Sequence, residues 1–261
     1  MPQPSGCGLG KAMSRTFKVS PERLRTFRRC RLRYRYQYVD RLPGRAGPQD
    51  ALGALVHAAL HDFFRYVPPS ERDEEQLITV LDEKWLALAR LPAATKEALR
   101  ERAEAQLRLF AREEDLSVQP LALESHFQVS LSEGVALVGR VDRIDQEPDG
   151  SLHLIDYKTG PRPEEPDVEQ LHLYAIMVAR TLSGPLRRAS YYYLELGEVL
   201  SISPDSQELE GIARRALAAA QEMMAETEYP ATVGRHCAGC PYLYLCAERD
   251  RIAQLRQEEG W

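Results

Sequence analysis

The chain has 261 residues, 44% of them hydrophobic and 28% charged, and a net charge of −5 at neutral pH. That length suits one large domain or two small ones, and that composition excludes a mainly disordered chain. The apolar runs are too short to cross a membrane, and the negative balance excludes a protein that holds nucleic acid by bulk positive charge.

Residues 1–14, rich in Gly, Ser and Pro, are expected to form a flexible N-terminal tail. They lack the apolar stretch of a secretory signal, so the chain is expected to work in the cytoplasm, where cysteines stay reduced. Ser20-Pro21-Glu22 reads as an N-cap, a first-turn proline and a first-turn acid, predicting a helix to about Val39. Leu24, Phe27, Cys30, Tyr34 and Tyr38 share its apolar face. From Arg15 to Arg35 there are nine Lys/Arg residues against one acid, Glu22. So one-sided a cluster is either a solvated helix face or a landing place for a polyanion. A second helix is expected over Ala51–Val67, ended by Pro68-Pro69, and two more over Glu74–Arg90 and Lys96–Glu114.

The hydrophobic period then changes to two. Leu121–Leu131, Val135–Ile144 and Ser151–Lys158 read as consecutive strands of an antiparallel meander, joined at Ser132-Glu133-Gly134 and Pro148-Asp149-Gly150. Asp167–Leu182 reads as a helix, Ser190–Leu196 as a strand and Ser206–Thr227 as a helix, and Pro230–Cys246 is irregular. The expected architecture is α/β: a mixed sheet core with flanking helices, a helical insertion at about 70–115 and a C-terminal cysteine-bearing tail.

That tail holds Cys237, Cys240 and Cys246 in a C-x2-C-x5-C spacing, with Cys30 about 200 residues upstream. If the tail packs on the first helix, the four thiols can complete a tetrahedral site for an iron–sulfur cluster or a structural zinc, and would staple the two ends of the domain. Buried cysteines without metal are the third option. Cys7 has no clear place.

On the strand ending at Lys158, alternation puts Leu152, Leu154, Asp156 and Lys158 on one face and His153, Ile155 and Tyr157 on the other. An acid and a lysine on an otherwise apolar strand are costly to bury without purpose. A hairpin would bring Asp142 beside Asp156, and two such carboxylates suit Mg²⁺ or Mn²⁺. An Asp–Lys ion pair at a strand end is the alternative. Glu124 and His126 lie on the preceding strand, with Glu124 a further candidate ligand. His61 lies four residues after His57, but Ala58 stands where a zinc-protease motif needs glutamate, so His61 reads as structural. The run Tyr191-Tyr192-Tyr193 reads as one buried and one exposed strand face, or as a base-stacking surface.

Asp142 followed by Asp156-Tyr157-Lys158 resembles the PD-(D/E)XK nuclease signature, in its RecB-like branch. Gly53-Ala-Leu-Val-His57 resembles that branch's helical histidine motif, and Gln170-Leu-His-Leu-Tyr174 its Q-x3-Y helix. Cys30 with Cys237, Cys240 and Cys246 is similar to the four-cysteine [4Fe–4S] arrangement of the iron–sulfur members, which include the AddB C-terminal nuclease and the CRISPR-associated exonucleases. The likeness covers roughly Ser20 to Cys246; Val141 replaces the nominal proline and Asp156 the commoner glutamate.

The resemblance implies a restriction-endonuclease-like fold, one RecB-like nuclease domain over 15–261, and a metal-dependent DNA exonuclease. Asp142, Asp156, His57 and the Tyr157 carbonyl would hold Mg²⁺ or Mn²⁺, Lys158 would orient the attacking water, and Gln170 and Tyr174 would support the site or touch DNA. The four cysteines would hold the cluster, with zinc the lesser occupant. Single strands or duplex ends of DNA would meet the basic helix at Arg23, Arg28 and Arg31. No phosphate-loop motif is present, so a helicase or integrase partner is expected, in repair, recombination or CRISPR adaptation. A DNA-gripping module without catalysis is the alternative.

Overall fold

The computed structural model describes residues 16–45, 47–85 and 93–260. The expected tail, Cys7, Arg15 and residues 86–90 of the third expected helix lie outside the described residues. A six-stranded mixed sheet is covered by helices on both faces. The strands are β1 (Phe17–Val19), β2 (Ala122–Ser132), β3 (Val135–Gln146), β4 (Leu152–Lys158), β5 (Leu186–Tyr193) and β6 (Glu198–Ile202). The helices are α1 (Pro21–Arg29), α2 (Arg31–Tyr34, continued by a π-turn over Arg35–Val39), α3 (Pro48–Tyr66), α4 (Glu74–Trp85), α5 (Ala93–Glu113), α6 (Glu169–Ala179), α7 (Ser206–Ala225) and α8 (Arg249–Glu259).

The expected meander is present: β2, β3 and β4 pair antiparallel in succession. β5 joins β4 in parallel, and β6 closes that side antiparallel to β5. β1, β6 and α8 were not expected from sequence. The expected single helix to Val39 is interrupted at Cys30, whose backbone is extended (φ −163°, ψ 112°). Ser20 caps α1 as anticipated, its Oγ accepting from the Arg23 N–H at 3.2 Å.

Alternation along β4 divides the core. Leu152 and Leu154 face a cluster built with Leu24, Phe27, Leu171 and Ile212 from α1, α6 and α7. Ile155 and Tyr157 face the opposite cluster, with Leu55, Phe63, Leu81 and Phe110 from α3, α4 and α5. The helices at 74–113 thus form a full layer of the core, each large apolar side chain contributing about 1.5–3 kcal/mol on burial. The tyrosine run is buried on both faces, Tyr191 and Tyr193 in the first cluster and Tyr192 in the second.

His153 on β4 gives the fold a pH dependence. Its Nε2 lies 2.8 Å from Ser190 Oγ, and its Nδ1 accepts from Arg188 at 3.1 Å. Burial, then the Arg188 and Arg143 guanidiniums, push its pKa down from 6.5 to about 3. The folded state therefore holds a neutral imidazole that the unfolded chain protonates first. Its contribution is complete above about pH 6.5 and is lost as pH falls towards 3, roughly 2 kcal/mol by pH 5. Denaturant unfolding at pH 7 and pH 5 should show this loss in the parent and a smaller one in His153→Gln; equal losses would refute the assignment.

Candidate active site

β3 has β2 along one edge, so its other edge is shared. β1 takes residues Val135–Leu137 of that edge and β4 takes Arg143–Gln146. Among the described residues the stretch between them has no strand partner on that side, and Asp142 sits at the fork. Its Oδ2 accepts from the Tyr157 N–H at 2.9 Å, doing what a ladder carbonyl would otherwise do. Asp142 is 8% exposed, its carboxylate held by the β4 backbone.

Two neighbours converge on it. His57, on the stripe of α3 facing the sheet, places Nδ1 3.4 Å from Asp142 Oδ2 and 3.7 Å from Glu124 Oε1. Glu124 lies across from Asp142, between the paired residues Leu123 and Ser125. Its φ is +45°, a left-handed conformation that costs a non-glycine residue about 1–2 kcal/mol and turns its side chain out of the regular ladder. Arg140 Nε pairs with Glu124 Oε2 at 2.8 Å. The ligating atoms of His57, Glu124 and Asp142 all lie within 4.8 Å of one another. Burial alone would lower the His57 pKa, but hydrogen bonding to Asp142 and then Glu124 raises it to about 10.

Asp156 and Lys158 share the α6 face of β4. Lys158 Nζ lies 2.5 Å from Asp156 Oδ2 and donates to Gln170 Oε1 at 2.8 Å. Gln170 Nε2 donates in turn to Tyr174 OH at 3.0 Å, so the two residues of the Q-x3-Y helix hold the lysine in series. Burial pushes the Asp156 carboxyl pKa up; Lys158 opposes this and the Asp142 charge adds to it. Asp156 lines the same cleft as His57, Asp142 and Lys158, outside the three-residue group of closest donors. Tyr157 enters through its backbone, its ring lying on the far face with Phe110 and Tyr192.

This donor set fits a hard divalent cation: carboxylates and one imidazole, held by backbone and adjoining a lysine. Asp156 Oδ2 supports the fit, being buried without a well-directed hydrogen bond despite the ammonium beside it. Among the expected ligands, the structure brings together His57 and Asp142, with Asp156 adjoining. It gives Glu124 a closer place than sequence alone suggested. Arg140 was missed, although alternation sets it on the Asp142 face. Gln106, which donates to the Thr159 carbonyl next to Lys158 at 3.0 Å, carries no local signal.

The four cysteines line one cavity at the other end of the chain path. The break at Cys30 turns its thiol away from the α1 apolar face, and Sγ accepts from the Thr232 N–H at 3.5 Å. Two short 3₁₀ turns, Arg235–Gly239 and Leu243–Leu245, bring in Cys237, Cys240 and Cys246. Tyr242 and Tyr244 anchor the segment through the carbonyls of Leu42 and Pro43, at 3.2 and 2.9 Å. All four thiols are free, and burial pushes those of Cys237 and Cys240 up.

The three candidate DNA-contacting arginines are engaged within the chain. Arg28 pairs with Glu169 on α6, Arg31 with Glu222 and Glu226 at the end of α7, and Arg23 lies 4.8 Å from the Tyr38 ring centroid. His61 bonds Asp62 at 2.7 Å, and His126 points to solvent.

A mixed sheet with acids at a strand fork, a helical histidine facing them and a lysine two residues beyond the second acid defines the class of metal-dependent nucleases. The family model of the PD-(D/E)XK nuclease superfamily matches residues 18–247, and the chain belongs to that superfamily. Among solved structures, one described as "Crystal structure of SSO0001" aligns over 89% of this chain and 86% of its own, at 14% identity and a TM-score of 0.42. No curated protein matches the chain. No helix among the described residues is long and apolar enough to cross a membrane.

Proposed function

We propose that this chain is a metal-dependent DNA exonuclease of the RecB-like branch, acting on single strands or duplex ends, with a [4Fe–4S] cluster on Cys30, Cys237, Cys240 and Cys246. The observation that carries the reading is the Asp142 carboxylate at the fork of β3, facing His57 and Glu124, with Lys158 on the same cleft. Asp142, Asp156, Glu124 and His57 would hold Mg²⁺ or Mn²⁺, which when bound would supply Lewis-acid stabilisation of charge on the phosphoryl oxygens. Lys158 adds a fixed positive charge where the attacking water and the scissile phosphate meet. Gln170 and Tyr174 keep that ammonium from swinging out of the cleft. The cysteine cavity ties α2 to the C-terminal segment, which gives the cluster a structural role. Unwinding falls to a partner helicase, or the substrate is delivered by an integrase, in repair, recombination or CRISPR adaptation.

The test is DNA degradation by anaerobically purified protein in Mg²⁺ or Mn²⁺, comparing linear with circular single strands. Linear DNA should be consumed and circles spared, and Lys158→Ala should be inactive while keeping the parental melting temperature. Cleavage that persists in Lys158→Ala, or iron-loaded parent that binds DNA without turnover, would overturn the reading.

A further inference from the structure

The active-site cleft continues in two directions along α3, and the two arms differ in charge. One arm passes Gly53 and is bordered by Glu22, Asp50, Asp167 and Glu169 against Arg25 and Lys158, an excess of carboxylates that repels a polyanion. The other passes His57 and Arg140 to His61, and from His61 to Arg65, Tyr66 and Leu121. Beyond His61 and Asp62, this second arm has no carboxylate on its walls. Arg65 has no ion-pair partner among the described residues.

Tyr66 is the last residue of α3, stopped there by Pro68-Pro69. It is 71% exposed, and Leu121 across the groove is 49% exposed. The Tyr66 and His61 rings meet edge to face, with centroids 6.4 Å apart and planes at 83°. That contact steadies the ring while most of its surface stays open to solvent. An open aromatic face beside an unpaired guanidinium is what a single nucleic-acid strand uses: the ring stacks a base and the cation meets a phosphate.

We infer that Tyr66 is a base-stacking platform for the strand that occupies the active site, with Arg65 taking the adjoining phosphate. The inference rests on the nuclease reading and adds the side from which the substrate is held. Glu124 and Arg140, between Tyr66 and Asp142, make the path continuous with the scissile position.

The experiment is fluorescence anisotropy of a labelled oligothymidylate of about a dozen nucleotides, measured on Lys158→Ala protein in Ca²⁺. Adding Tyr66→Ala should weaken binding at least about fivefold, the lower end of what stacking one base on an aromatic contributes. Tyr66→Phe keeps the ring and should bind as the parent does, and Arg65→Ala should reduce the salt dependence. Tyr66 is exposed, so its variants should melt at the parental temperature. Unchanged binding in Tyr66→Ala would overturn the platform and leave the nuclease intact. Equal losses in Tyr66→Phe and Tyr66→Ala would replace stacking with a hydroxyl contact and also overturn it. A parent that binds no nucleic acid would overturn both readings.

Discussion

Asp142→Asn should abolish cleavage, with kcat falling by at least about 10²–10³-fold, while the chain stays folded. The amide oxygen can still accept from the Tyr157 N–H, so the join between β3 and β4 survives. What is lost is the charge that the fork presents to the cleft. The same substitution should be visible at His57. Asp142 is the largest of the influences that raise this imidazole's pKa to about 10, against the burial that lowers it. In metal-free protein, NMR titration of His57 should therefore move to lower pH in Asp142→Asn. Full activity would remove Asp142 from the chemistry. An unmoved imidazole would show that Glu124, not Asp142, holds its proton.

Cys30→Ser should release the metal from the cysteine cavity and lower the melting temperature of anaerobically purified protein. The remaining donors lie in one segment, 237–246, whose described structure is short turns carrying few buried apolar side chains. Cys30 is the donor that joins this segment to α2, so its loss removes a cross-link between distant parts of the chain as well as a ligand. Even about 3 kcal/mol would lower the melting temperature of a chain this long by roughly 6–12 °C, and metal sites of this kind contribute that or more. Iron with acid-labile sulfide in the parent, absent from Cys30→Ser, is the expected analysis. Zinc in the parent would replace the cluster, and an unchanged melting temperature would remove the staple.

Much of this was legible beforehand because it rests on local pattern. The alternation in Leu152–Lys158 assigned both faces of β4 and set Asp156 and Lys158 together. The spacing of Gln170 and Tyr174 placed them on one helix face, where they hold Lys158 in series. The rest depends on geometry that no local period encodes. Glu124, a candidate ligand from sequence, reaches the site through one left-handed residue inside a strand. β1 is three residues long and exists because β3 leaves an edge for it. The helical period through Cys30 is unbroken in sequence, yet the backbone opens there, drawn by contacts with Pro230 and Thr232 some 200 positions away. The arginines of α1 and α2 read as either a solvated helix face or a polyanion surface, and several partners, Glu169, Glu222 and Glu226, arrive from far along the chain.

The cysteine cavity also sets a clock on biosynthesis. Cys30 and Thr232 touch across 202 residues, so a ribosome adding roughly 5–20 residues per second needs about 10–40 s to bring them into one nascent chain. Throughout that interval Cys30 is the one donor of the proposed set to have been made, and a single thiolate cannot retain a cluster. The sheet, α3 and the cleft that holds Asp142 are all complete in sequence before the last three sulfurs appear. A cluster held there, as proposed, would therefore be delivered only after the sheet, α3 and the Asp142 cleft have all been synthesised.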